Sequence, residues 1–166
     1  IDLTKNRFLL NPMVNARLIQ SLNINDNDTI LSIGSGIGYN SVILSYLCNT
    51  VIGIESIKSF YEFSSDILTK LEVNNVVFIK SKIENGYSDQ QPYDCIIIEG
   101  GVNYVPIKIL NQLSENGRLV AVEIEEGRVG KANLYQRHRN EFTKNYLFDA
   151  YIPVFDCFKK IQKFNF

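Results

Sequence analysis

The chain has 166 residues, 45% hydrophobic and 21% charged, with a formal net charge of −1 at pH 7. That is one domain's worth of chain with the composition of an ordinary globular protein, able to bury roughly 70% of its unfolded surface. The near-zero charge gives no electrostatic ground for nucleic acid or an anionic membrane as partner, no apolar run approaches the ~20 residues that span a bilayer, and no charged-then-apolar start marks a signal peptide.

In chain order, Asn11-Pro12 is the pattern of a helix cap with proline at the first helical position, and the apolar spacing that follows predicts a helix over about 12–22. "NINDNDT" (23–29) is a polar turn. Alternation then sets in: "TILSIG" predicts a strand, "YNSVILSYL" a helix, "TVIGIE" a strand and "IKSFYEFSSDILTKLE" a longer amphipathic helix. "VVFIK" is a strand, "YDCIIIEG" a buried strand, "PIKILNQL" a short helix and "GRLVAVEI" a strand. Continuous Val/Ile/Leu strands alternating with helices predict an α/β fold, a mostly parallel twisted sheet with helices on both faces. "GKANLYQRH" and "FTKNYLFDAYIP", joined by a short "RNE" link, predict a C-terminal antiparallel hairpin added to that sheet. No repeat or linker divides the chain, so residues 1–166 are expected to form one domain. It starts at Ile1 rather than Met, and the expectation is that a preceding segment is missing.

Cys48, Cys95 and Cys157 are odd in number and far apart, and two lie in apolar runs. This predicts reduced thiols in a cytoplasmic protein and neither a disulfide frame nor a metal site. His138, the single histidine, lies between two arginines and is expected at the surface. The tail "FDCFKKIQKFNF" alternates apolar and basic residues and is expected to pack on the domain or on a second copy.

"LSIGSGIGYN" (31–40) is a glycine turn between a strand and a helix, which places backbone N–H groups at the carboxyl edge of the sheet, where ligands of such folds bind. Glu55 ends the next strand, twenty-one residues after Gly34, the spacing at which an acidic side chain meets the ribose hydroxyls of a bound nucleoside. Dinucleotide binding calls for G-x-G-x-x-G, and Tyr39 stands at the third glycine's place. No lysine follows the glycines as a P-loop requires. S-adenosyl-L-methionine, which has no pyrophosphate, is the adenosine compound that remains. The candidate cofactor residues are Gly34, Ser35, Gly36, Gly38, Tyr39, Asn40, Glu55 and Ser56.

These segments together resemble the protein-L-isoaspartate O-methyltransferase family, nearly without gaps from about Phe8 to Pro153. "RFLLNPMVNARLIQSL" resembles the family's Thr-Ile-Ser-x-Pro segment and following helix, "ILSIGSGIGY" its first motif, and "VIGIESIK" its ribose-binding strand. "PYDCIIIEGGVNYVPIKILNQLSENGRLVAV" resembles its fourth and fifth strands, and "LFDAYIPV" its closing strand. The resemblance implies a Rossmann-like class I methyltransferase, S-adenosyl-L-methionine as cofactor, and cytoplasmic repair of proteins or peptides with isoaspartyl residues. The departures resemble a divergent branch that lacks the family's serine. That serine, held to orient the substrate carboxylate, falls at Leu10, and the acidic residue opening the first motif falls at Ser32. Gly-Asp-Gly after the third strand becomes Ser81-Lys82-Ile83, which the resemblance implies lie at the adenine; lysine has only donors where the aspartate accepts, so main-chain groups of these three residues are the expected contacts. Thr-Ala-Ala-Pro becomes Glu99-Gly100-Gly101-Val102.

A substrate carboxylate is ionised at neutral pH and needs no general base, so catalysis is expected from alignment. Leu10 and Asn11 are the candidate positions for that alignment, Asn11 being otherwise a helix cap. Glu99 is a candidate catalytic group that suits an amine or cationic acceptor better than an acidic one. The rival expectation is a non-catalytic binding or interaction domain that keeps the fold, or a methyltransferase with another acceptor.

Overall fold

The computed structural model describes residues 2–4 and 7–160. A small antiparallel pair comes first, β1 (Asp2–Thr4) with β2 (Arg7–Phe8). Helix α1 (Pro12–Ser21) follows, its first free N–H groups answered by Asn11, whose Oδ1 accepts from the Met13 amide at 2.9 Å. Then come β3 (Thr29–Ile33), α2 (Tyr39–Ser45), β4 (Thr50–Glu55), α3 (Lys58–Lys70), β5 (Val76–Lys80) and β6 (Tyr93–Val102). Helix α4 (Ile107–Leu110), β7 (Leu113–Glu123), β8 (Gly130–His138) and β9 (Glu141–Ala150) complete the order.

The main sheet has the order β5-β4-β3-β6-β7-β8-β9. Its first five strands are parallel, and β8 and β9 add an antiparallel hairpin, as the alternation predicts. Because side chains alternate along a strand, each strand feeds two cores. Ile30, Val51, Cys95, Ile97, Val120 and Val122 pack under α1 and α2. Leu31, Ile33, Ile52, Ile54, Ile96, Ile98 and Leu119 pack on the other face with Ile109 and Leu110 of α4 and with Phe155 and Phe158. Among the described residues no helix is long and apolar enough to cross a membrane.

Three boundaries differ from expectation. The helix predicted over 106–113 shrinks to four residues, because Leu113 is already paired with Tyr93. β7 therefore starts early and carries an irregularity, Tyr93 facing Leu113 but Cys95 facing Arg118, with Asn116 at φ 61° inside it. Glu141 of the expected link belongs to β9, whereas Ile152 and Pro153 lie beyond it. Of the aromatic tail, residues 155–158 fold onto the sheet, as packing on the domain requires; 161–166 lie outside the described residues. Cys48 and Cys95 are buried and Cys157 is exposed, all as free thiols.

Candidate functional site

The chain runs β3, β4, β5 toward one edge of the sheet and then returns to lay β6 beside β3. The carboxyl ends of β3 and β6 thus flank the point where strand order reverses, the place where open α/β sheets bind ligands. Gly34, Gly36 and Gly38 lie there at φ of 76°, 55° and 85°, left-handed conformations that glycine adopts without a Cβ penalty. The Gly34 and Ser35 amides donate to Ile54 O at 3.0 and 3.1 Å, tying the turn to β4, and Gly38 opens α2.

Glu55 ends β4 beneath this turn and is fully buried. Its carboxylate accepts from the amides of Gly36 (2.8 Å), Ser56 (2.7 Å) and Ile57 (2.8 Å) and from Nη2 of Arg7 in a buried ion pair. Arg7, which sequence reasoning missed, is itself buried and lies 48 residues away in sequence. A lone arginine ahead of the apolar "FLL" was the available signal.

On the other side of the turn lies a second polar cluster. Ser32 Oγ donates to Glu99, whose other oxygen accepts from Asn40 Nδ2 at 2.9 Å. Asn15 Nδ2 of α1 donates to Asn40 Oδ1 at 2.6 Å, and Asn15 Oδ1 has no partner among the described residues. Burial pushes the Glu99 carboxyl up to about 7, against the two hydrogen bonds that favour its charged form. The residue at the first motif's acidic position is a serine, and the carboxyl it touches stands on the neighbouring strand.

The remaining predicted residues scatter around this centre. Ile83 is buried and Ser56 exposed, and both line a cavity of about 210 Å³ with Ile57, Arg7, Phe155 and Cys157. The Ser81 amide donates to Glu55 O at 3.0 Å; Lys82 is exposed and opens the turn over 83–85. Ser35 is buried with its Oγ 3.4 Å from Ile54 O, and Tyr39 is half exposed. Leu10 packs against the α1 core. His138 is exposed beside Glu115.

Phe155 was read only as part of a tail, yet it is 4% exposed, lines this cavity and lies against Gly34 and Gly100. A Cβ built on Gly34 would stand 2.7 Å from its ring, and one on Gly100 would collide with it more severely. The acceptor at Glu55 and the glycine turn suit an adenosyl ligand in chemistry. Phe155 stands against that turn and Arg7 against that acceptor.

The strand order, the glycine turn after β3 and the acidic end of β4 define a Rossmann-like class I methyltransferase fold. The chain belongs to the protein-L-isoaspartate O-methyltransferase family: the family model Protein-L-isoaspartate(D-aspartate) O-methyltransferase matches residues 1–158. The Desulfotalea psychrophila protein-L-isoaspartate O-methyltransferase is 32% identical over 123 residues, covering 72% of this chain and 56% of its own length. The Marinobacter nauticus protein-L-isoaspartate O-methyltransferase 1 is 30% identical over 138 residues, 80% of this chain and 63% of its own. The chain spans about half the length of the curated relatives it matches. A solved protein-L-isoaspartate O-methyltransferase superimposes with a TM-score of 0.80 at 24% identity, over 86% of this chain and 46% of its own. A Plasmodium falciparum structure assigned to the same activity, in complex with S-adenosyl-L-homocysteine, gives 0.74 at 20% identity, over 93% and 78%.

Proposed function

We propose that the chain is an S-adenosyl-L-methionine-dependent methyltransferase of the cytoplasm that methylates the carboxyl group of isoaspartyl residues in damaged proteins or peptides. The observation that carries this reading is the left-handed turn Gly34–Gly38 beside the acidic end of β4, at the reversal point of the sheet, in a chain of this family. Glu55 is the acceptor for ribose hydroxyls, and Ser56 with the main chain of Ser81–Ile83 flanks the adenine. Ser35, Tyr39 and Asn40 belong to the methionine end. The cofactor would supply an activated methyl group; the chain supplies alignment, since an ionised carboxylate needs no base. Leu10 offers no side-chain donor for it. The Asn11 Oδ1 serves the helix, which leaves its Nδ2 as the donor for a substrate carboxylate.

Transfer of labelled methyl from S-adenosyl-L-methionine to an isoaspartyl peptide, beside its aspartyl counterpart, tests the reading. Label in the isoaspartyl peptide alone is the expected result; equal or absent labelling at millimolar cofactor overturns it. Glu99 favours a second reading, an amine acceptor. A buried carboxyl pushed up to about 7 is matched to take a proton near neutral pH, and in its ionised form it repels an acidic acceptor. Labelling of amine-bearing peptides, lost in Glu99→Gln, would replace the first reading with this one.

A further inference from the structure

We propose that residues 151–158 and Arg7 form an internal plug of the cofactor cleft, so that the Phe155 side chain and an adenosyl ligand are alternative occupants of one site. The proposal rests on the cofactor reading above.

The plug lies on the floor of the cleft. Phe155 presses on Gly34 after β3 and on Gly100 within β6, the two strands whose ends flank the reversal point. A lid would rest above a bound ligand; this ring touches the glycine turn on which a ligand would have to lie. Gly100 admits the ring because it has no side chain, since a Cβ there would collide with it.

Main-chain bonds hold the segment in place. Gly101 donates to Pro153 O at 3.0 Å, Phe155 N donates to Gly101 O at 2.9 Å, and Asn103 N donates to Phe158 O at 3.2 Å. Val154 thereby pairs parallel to Gly101, a short extension of the sheet across its own carboxyl edge. Phe158, 1% exposed, packs 6.4 Å from Phe155 and anchors the far end.

Arg7 closes the other side. Its guanidinium lies 4.6 Å from the Phe155 ring centroid and bonds the Glu55 carboxylate. Together the two side chains reproduce what a nucleoside would offer: N–H donors in place of ribose hydroxyls, and a flat apolar ring against the glycine floor. Glu55 has no exposed surface and its Oε1 already accepts from four donors, Arg7 among them, so a ribose reaches this carboxylate only when Arg7 withdraws. The space that remains, about 210 Å³, is smaller than the roughly 300–1,000 Å³ of ordinary ligand pockets.

A ligand that binds an open state pays for the population held closed, so its apparent affinity is reduced by the open fraction. Removing the plug is therefore expected to tighten S-adenosyl-L-homocysteine binding by about tenfold or more. Two variants test this by calorimetric titration: Phe155→Ala, which removes the ring, and Gly100→Ala, which keeps it but leaves it no room. Hydrogen exchange on the unaltered chain supplies a readout that needs no substitution. The Phe155 and Gly101 amides are expected to be protected in the free protein and to lose protection when S-adenosyl-L-homocysteine saturates it. Unchanged or weaker affinity in both variants, or protection that rises with ligand, overturns the plug and leaves the cofactor reading standing. Unprotected amides in the free protein overturn it before any ligand is added. If neither the unaltered chain nor either variant binds at millimolar ligand, the plug and the cofactor reading fall together.

Discussion

Glu99 carries a carboxyl that water would keep ionised, in a place water scarcely reaches. Ser32 and Asn40 donate to its two oxygens and Asn15 supports Asn40, but burial outweighs these bonds and raises the carboxyl. With a folded value raised to about 7, the native state binds more protons than the unfolded chain between about pH 4.5 and 7. Stability accordingly falls as pH rises across that window and levels off above it. The displacement from 4.5 to about 7 corresponds to a loss of about 3 kcal/mol at most. Glu99→Gln keeps the shape without the titration, so urea denaturation of this variant is expected to lose the Glu99 slope between pH 5 and 7.5. It should also be the more stable protein at pH 8. A variant with the wild-type slope would show that another group titrates there. Sequence reasoning picked out both Ser32 and Glu99 as departures from the family pattern. It could not pair them, because their contact spans 67 residues and depends on the register that sets Ile33 beside Ile98.

At the scale of elements, the local signals were legible and the ties between elements were not. Asn11-Pro12 is a cap written in two adjacent residues, and the Asn11 Oδ1 bond to Met13 realises it. Asn11→Ala is expected to cost about 1 kcal/mol in denaturant titration, most of it restored by Asn11→Asp, which keeps the acceptor. Methyl transfer reads the other role: if Nδ2 also orients substrate, Asn11→Asp will lose activity while keeping the cap. The strand boundaries from β3 to β5 follow from short Val/Ile runs closed by polar turns. The early start of β7 could not be read this way, because Leu113 becomes strand through its partner Tyr93. Arg118 is a tie of the second kind. From β7 it donates to Leu22 O (2.6 Å) and Asn23 O (3.2 Å) after α1 and to Asp28 Oδ2 (2.6 Å) before β3. Asp28 is 8% exposed, so removing its cation strands a buried charge, and Arg118→Met is expected to cost about 3 kcal/mol. The double variant Arg118→Met, Asp28→Asn should recover much of that loss, which a purely steric role for Arg118 would not allow.

For the molecule as a whole, the sheet distributes stability from its middle outward. β3 and β6 are covered on both faces, with Ile30, Leu31, Ile33, Ile96 and Ile97 at 0% exposure, whereas Val77 on the edge strand β5 is 54% exposed. That contrast was visible in outline, since β6 carries the apolar run Cys95–Ile98 at its centre and β9 interleaves Lys, Asn and Thr with its apolar residues. Its geometry was hidden, because Arg7, Glu55 and Phe155 come from opposite ends of the sequence to one edge of the sheet. Local opening needs least energy where few buried contacts are lost, so exchange should grade from the edges β5 and β9 to the centre. Amides of β3 and β6 are expected to exchange only through global unfolding, and their protection should track the stability measured by denaturant. Ile97→Ala removes a branched aliphatic side chain from the doubly covered centre and is expected to cost about 3 kcal/mol. Val77→Ala on the open edge should stay within about 0.5 kcal/mol, because its side chain is already half in water. If both cost the same, or if β9 amides proved as protected as those of β6, the edge strands would have to draw on cover that the described residues do not supply.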